Sequence, residues 1–235
     1  MKGSLSVAAV QPRCVALDVV ANARGHAEAI RTARARLVVF PELSLTGYEL
    51  DAPPVATDDP ALRAIVDACA ETGSVALVGA PIEEGGARFI AAFRVDGDGV
   101  TVAYRKSHLG GDELNRFQDG DGPTVLDVDG WRVGLGICKD TGVAEHTTGT
   151  AALGVDLYAA GLVHLPEELE EQDARGERIA AACGSYVAFA SFAGATGGGY
   201  DATAGESTIW APDGTVVARA GRAPGEIARA ELATR

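Results

Sequence analysis

A change of pattern partway along this 235-residue chain limits its possible folds more than any other feature. In the first third, short apolar runs alternate with helical stripes. Leu5–Val10 reads as a buried strand. Asp18 can cap a helix running to about Ala35, with Val19, Ala23, Ala27, Ile30 and Ala33 as its apolar stripe. LVVF (37–40) is apolar on both faces, as a central strand would be. Pro60 opens a helix ending at Gly73, and SVALVGA is again a strand. After that, hairpin signals take over. DGDG lies between RFIAAFRV and VTVAYR, Asp129-Gly130 between TVLDV and WRVGLGI, and Pro212-Asp213-Gly214 between STIW and TVVARA. A helix over about 142–153, the strand VDLYAA, a long helix from Pro166 and the strand SYVAFASF fall between the last two hairpins. EIARAEL offers an edge strand. Crossover helices and hairpins together demand a mixed sheet, or two packed sheets, with helices outside. There is no internal repeat, low-complexity stretch or linker, so residues 1–235 read as one α/β domain.

Three strand ends carry reactive side chains. In WRVGLGI, Val133, Leu135 and Ile137 alternate with Arg132, Gly134 and Gly136, the period of a strand, and Cys138 follows at its end. A lone cysteine is most often a small buried hydrophobe. A thiol at a strand end, however, stands on a rigid support where α/β proteins place their chemistry. Glu42 sits just past LVVF, where an apolar neighbourhood raises a carboxyl pKa towards the range of a general base. Lys106 ends VTVAYRK. Taken singly, Glu42 reads as a loop acid and Lys106 as a solvated lysine. Together, thiol, carboxylate and ammonium supply a nucleophile, its base and a cation for an oxyanion. Of the histidines, His26 lies on a helix, His108 and His146 in or near turns, and His164 after a strand. A Cys–His arrangement has no support beyond the presence of both residue types.

The net charge of −13 with no basic cluster argues against nucleic acid and anionic membrane as partners. The apolar run near the N-terminus is too short for a signal peptide, and no segment approaches a membrane span. Cys14, Cys69, Cys138 and Cys183 are scattered, with no Cys-x-x-Cys pair. Neither a zinc nor a redox motif is therefore expected, and free thiols in a reducing cytoplasm are. Cys69 and Cys183 lie in apolar helical runs and read as core. GATGGGYDATAG lacks the Gly-Lys-Ser/Thr phosphate-loop pattern and reads as a flexible loop near a site.

PELSLTGY (41–48), YRKSHL (104–109) and GICKD (136–140) resemble, in order, the three motifs of the nitrilase superfamily of carbon–nitrogen hydrolases. VAAVQP, KSHLGGDELNRFQDG and STIWAPDGTVVARAG extend the resemblance along nearly the whole chain. The resemblance implies a four-layer α-β-β-α sandwich, no metal or cofactor, and homodimers or larger homo-oligomers. It implies a Glu-Lys-Cys triad on Glu42, Lys106 and Cys138, with Glu113 as the family's second glutamate. It places Tyr48, Lys139 and His164 at substrate-facing positions. The implied activity is hydrolysis of a small amide through a cysteine thioester, with carbamoyl-amide or nitrile hydrolysis, or a silent binding subunit, as alternatives. Two departures fall near the pocket. Lys139 to Glu145 reads KDTGVAE where Tyr-Asp-x-x-Phe-Pro-Glu is common, and Gly161 to His164 reads GLVH where Asn or Pro-Trp is frequent.

Overall fold

A computed structural model describes residues 3–234; Met1, Lys2 and Arg235, at the ends of the 1–235 span, lie outside the described residues. The first half forms β1 (Leu5–Val10), α1 (Val19–Ala33), β2 (Leu37–Val39), α2 (Arg63–Thr72), β3 (Val75–Glu84), β4 (Ala87–Asp96) and β5 (Gly99–Arg105). The second forms β6 (Thr124–Val128), β7 (Trp131–Ile137), α3 (Ala144–Ala152), β8 (Leu157–Leu162), α4 (Leu169–Cys183), β9 (Tyr186–Ser191), β10 (Thr208–Trp210) and β11 (Val216–Arg219). The final strand, β12 (Ile227–Leu232), returns to the first half.

Among the described residues the strands make two six-stranded sheets, ordered β12-β1-β2-β3-β4-β5 and β11-β10-β9-β8-β7-β6. Each has a parallel centre, β1-β2-β3 in one and β7-β8-β9 in the other, flanked by antiparallel strands. The parallel centres come from the helix-linked segments and the antiparallel flanks largely from the hairpins, as the change of pattern requires. Of the two arrangements that pattern allowed, two packed sheets is the one formed, and EIARAEL is an edge strand paired antiparallel to β1.

Packing is layered. Leu37 and Val39 of β2 meet Leu135, Ile137, Leu157 and Ala188 from the other sheet in one buried cluster between the sheets. Ala23, Ala27, Ile30, Ile65 and Ala68 bring α1 and α2 onto the outer face of the first sheet. Ile179 and Ala180 bring α4 onto Tyr158, Leu162, Phe189 and Trp210 of the second. The result is a four-layer α-β-β-α sandwich. No helix among the described residues is long and apolar enough to cross a membrane.

Local differences from the sequence reading have local causes. The helix read from about residue 142 is a 3₁₀ turn over Cys138–Gly142, with α3 starting at Ala144, so His146 sits on a helix rather than in a turn. The Asp140 side chain accepts from Ile137 N at 3.0 Å and folds the chain into that tight turn first. β8 starts at Leu157 and runs on through Gly161 and Leu162, because the parallel pairing with β9 continues to Leu162↔Ser191. Cys69 is buried as read, and Cys183 is partly buried against the α4 cluster.

Helix α1 carries two polar residues on its buried face. Asn22 Nδ2 donates to Leu45 O at 2.9 Å and to Val15 O at 2.8 Å. His26 stacks on Phe40 at 4.1 Å between ring centres and places Nδ1 2.6 Å from Asn22 O and Nε2 2.8 Å from Ser44 Oγ. A carbonyl only accepts, so Nδ1 carries the proton and Nε2 receives the Ser44 hydroxyl. The segment just past β2 is thus clamped from behind by a neutral imidazole.

Burial lowers the His26 pKa from 6.5 to about 4, with the bond to Asn22 O opposing. As pH falls the unfolded chain takes up this proton before the folded one does. The stability His26 contributes is therefore complete above about pH 6.5 and lost progressively towards pH 4. Denaturant unfolding of wild type and His26→Gln between pH 8 and 4 should show a shallower decline in the variant; equal slopes would refute the assignment. Glycine substitutions should split by position. A Cβ at Gly161 would lie 2.5 Å from Phe40 O and 2.7 Å from Glu42 N, both backbone atoms, so Gly161→Ala should cost about 1–3 kcal/mol. Gly25, in α1, has nothing within 4 Å of an added Cβ, so Gly25→Ala should stabilise by about 0.5–1 kcal/mol.

Candidate active site

Strand ends from both sheets converge on one buried cluster. Glu42 follows β2 by three residues, and its backbone is wedged between two glycines. A Cβ at Gly79 of β3 would sit 2.5 Å from Pro41 O and 2.4 Å from Leu43 N, and Gly161 of β8 closes on it from the opposite sheet. Only missing side chains permit that approach. Leu43 turns the chain away in the left-handed region, with φ 50°. Lys106 follows β5 directly, held in register by Lys106 N to Ile90 O at 2.8 Å. Glu113 lies in the 3₁₀ turn Gly111–Asn115, where its Oε2 accepts from Gly110 N at 2.9 Å.

Lys106 Nζ donates to Glu42 Oε1 at 2.7 Å, to Glu113 Oε1 at 2.7 Å and to Glu113 Oε2 at 2.9 Å. All three residues are 1% exposed. Tyr48 Oη donates to Glu113 Oε1 at 2.7 Å. Glu113 is therefore saturated, whereas the second oxygen of Glu42, Oε2, is buried with no hydrogen-bond partner.

The charges do not balance: two carboxylates share one ammonium. Burial drives the Glu42 pKa well above the usual carboxyl range; Lys106 opposes this, and the charges of Cys138 and Glu113 add to it. At Lys106, burial pulls the pKa down, but Glu42, Cys138 and Glu113 outweigh it and hold the ammonium above its ordinary value. A permanent cation and a carboxyl whose proton affinity is raised thus lie side by side. Burial, then Glu42 and Glu113, also raise the Tyr48 phenol, which stays a neutral donor.

Cys138 stands at the end of β7 with φ 39°, a backbone state that a non-glycine residue adopts only when its surroundings enforce it. Thr141 Oγ1 donates to Cys138 O at 2.6 Å, and Asp140 grips Ile137 N from the other side. The thiol is partly exposed, points 3.5 Å from Val163 O, and contributes to the electrostatics of both Glu42 and Lys106. It opens into a cleft of about 390 Å³ whose lining includes Lys106, Glu113, Cys138, Lys139, Tyr48, Leu50, Gly198 and Tyr200.

Six of the seven residues singled out in the sequence come together here. Glu42, Lys106 and Glu113 form the buried cluster, and Cys138, Tyr48 and Lys139 line the cleft with Lys106 and Glu113. Lys139 Nζ donates to Leu109 O at 2.7 Å. His164 is the exception: it is buried, with Nδ1 3.2 Å from Gln172 Oε1 and Nε2 3.4 Å from Arg175 Nη1, and it is not among the cleft-lining residues. Burial, and then the Arg175 charge, lower its pKa.

The sequence reading missed Tyr200, whose ring lies 5.2 Å from that of Tyr48 and nearly perpendicular to it. Tyr200 is the one aromatic residue in the glycine-rich stretch, which does lie at the cleft. Its glycines serve close approach: a Cβ at Gly198 would meet Tyr48 O at 2.0 Å. The reading also missed what Asp140 does, although Asp140 stands within the GICKD motif.

The arrangement offers a thiol, a strongly basic carboxylate and a fixed cation at one end of a small cleft. Comparisons with known proteins place the chain as a whole. The carbon-nitrogen hydrolase family model matches residues 6–234. A hydrolase encoded in the pqqF 5′ region of Pseudomonas protegens is 31% identical over 217 residues, covering 87% of this chain and 75% of that one. The crystal structure of an amidase from Nesterenkonia sp. aligns with a TM-score of 0.88 at 25% identity, covering 99% of this chain and 92% of that one. Nit3 of Saccharomyces cerevisiae, a member of branch 10 of the nitrilase superfamily, shares the fold with a TM-score of 0.86 at 23% identity over 98% of this chain and 90% of its own. From its first strand to its last, this chain belongs to the carbon-nitrogen hydrolase family.

Proposed function

We propose that the protein hydrolyses the carbon–nitrogen bond of a small amide through an acyl thioester on Cys138. The observation that carries this reading is the state of Glu42. One oxygen is fixed by Lys106, and the other is buried and unpartnered near the thiol. A buried oxygen left without a donor costs stability. It fits a group whose partner arrives during the reaction.

In the proposed sequence Glu42 Oε2 takes the Cys138 proton as sulfur attacks the amide carbon. Lys106 Nζ and the backbone N–H of Lys139 receive the charge that develops on the carbonyl oxygen. The carbon–nitrogen bond then breaks, and Glu42 passes its proton to the leaving nitrogen. Water, deprotonated by the same carboxylate, attacks the thioester; the carbon–sulfur bond breaks and the proton returns to sulfur. The raised pKa of Glu42 suits both halves, since one group must accept a proton and then release it near neutral pH. Glu113 holds Lys106 and Tyr48 in place, and Tyr48 and Lys139 face the substrate along the cleft. The cleft, at about 390 Å³, suits a small ligand. The Nesterenkonia relative is an amidase, which favours an amide over a carbamoyl compound or a nitrile.

Ammonia release over amides, ureido acids and nitriles should identify amides as the class turned over. Cys138→Ala should abolish release while leaving the fold intact; substantial residual hydrolysis with unchanged pH dependence would rule out the thiol as nucleophile. Glu42→Gln should lower kcat on the order of a thousandfold or more, because both proton transfers pass through that carboxylate. Hydroxylamine added during turnover should capture the acyl group as a hydroxamate in wild type and not in Cys138→Ala.

A further inference from the structure

Behind the thiol lies a second buried polar cluster that the proposed chemistry does not use. Its hub is Asp140, fully buried two residues past Cys138. Oδ2 accepts from Ile137 N at 3.0 Å and from Tyr104 Oη at 2.8 Å. Oδ1 accepts from His108 N at 2.9 Å and lies 2.9 Å from His108 Nδ1. Four donors fill the four acceptor positions of one carboxylate. The hub ties the residue before Cys138 to the segment just past Lys106, so two strand exits from different sheets share one anchor.

The hydrogen bonds beyond the hub run one way. The hydrogen of Tyr104 goes to Asp140, so Tyr104 Oη must accept from His146 Nε2, 2.9 Å away. His146 then carries its proton on Nε2 and leaves Nδ1 to accept from Tyr158 Oη at 3.2 Å. Burial keeps His146 neutral by lowering its pKa and keeps Tyr158 and Tyr104 neutral by raising theirs, so each link remains available. Tyr158 in turn is seated by β7 itself: a Cβ at Gly136 would fall 2.1 Å from its hydroxyl oxygen. A chain of aligned bonds in a low-dielectric interior strengthens each member.

We propose that Tyr158, His146 and Tyr104 are positioning residues for Cys138, a one-way relay of hydrogen bonds that ends on Asp140 and through it fixes the turn bearing the thiol. The proposal rests on Cys138 being the nucleophile. Its physical basis is the left-handed backbone at Cys138, which the structure must hold against its own preference.

Ammonia-release kinetics on an amide substrate test it, with thermal melting to verify folding. His146→Phe keeps a ring but deletes both links, and should lower kcat about tenfold or more with KM within about threefold, the size expected for losing two buried hydrogen bonds that lead to the hub. His146→Gln restores a donor and an acceptor and should recover kcat to within about threefold of wild type. Asp140→Asn turns an amide NH₂ towards groups that are all donors and should cost on the order of a hundredfold in kcat. A folded His146→Phe with wild-type kcat, or His146→Gln as impaired as His146→Phe, would overturn the relay. If His146→Phe does not fold, Tyr158→Phe decides, since it removes only the first donor; wild-type kcat in that variant would also overturn it. Cys138→Ala separates the two readings. Activity retained there removes the nucleophile assignment, whereas a dead Cys138→Ala beside a fully active, folded His146→Phe removes the relay alone.

Discussion

Two carboxylates and one ammonium, packed within hydrogen-bond distance and shut away from water, are the constraint on which this molecule is organised. Removing three charged groups from solvent is expensive, and their mutual attraction offsets that only when the geometry is tight. The fold supplies the tightness by bringing Glu42 and Lys106 from strand ends of one sheet against the Cys138 strand of the other. The imbalance of charge is as important as the attraction. Burial raises the proton affinity of Glu42, whose outer oxygen has no partner, and the charges of Cys138 and Glu113 add to it against the opposing charge of Lys106.

The backbone accepts strain to achieve this. Glu42 is followed by Leu43 at φ 50°, and Cys138 itself sits at φ 39°. Gly79 and Gly161 admit the Pro41–Glu42 peptide from two sheets at once, and Gly136 admits the Tyr158 hydroxyl beneath the thiol strand. These glycines act by the absence of a side chain, at places where backbone or a buried hydroxyl occupies the space a Cβ would need.

Polar groups in the interior divide into two kinds. Asn22, His26 and Ser44 behind Glu42, and Asp140 with Tyr104, His108 and His146 behind Cys138, are joined by hydrogen bonds and hold segments still. The unpartnered Glu42 oxygen is of the other kind: buried without a donor, it costs stability. Satisfied networks on both sides of an unsatisfied atom are an arrangement suited to a preorganised site.

Much of this was legible in the sequence. Strand period, the Gly73 end of α2 (Pro60 opens a 3₁₀ turn, Pro60–Leu62, just ahead of it), the Asp18 cap and the Asp129-Gly130 hairpin are local signals, written in a few consecutive residues. The motifs singled out Glu42, Lys106 and Cys138 at strand ends, which are local features too, and the fold brings Glu42 and Lys106 together with Glu113. Tyr200, His164 and the Asp140 hub were not legible in the same way. Tyr200 meets Tyr48 across 152 positions of chain, and His146 reaches Tyr104 across 42. His164 is buried with Gln172 and Arg175 of α4 as its partners. The sequence by itself determined the elements, their kind and the reactive groups at their ends, since propensity and periodicity act over a few residues. Tertiary structure alone decided that there are two sheets, which glycines face which backbone, and which carboxylate is left with an unpartnered oxygen. Those outcomes depend on burial and on pairwise distances between segments far apart in the chain, and no local pattern encodes them.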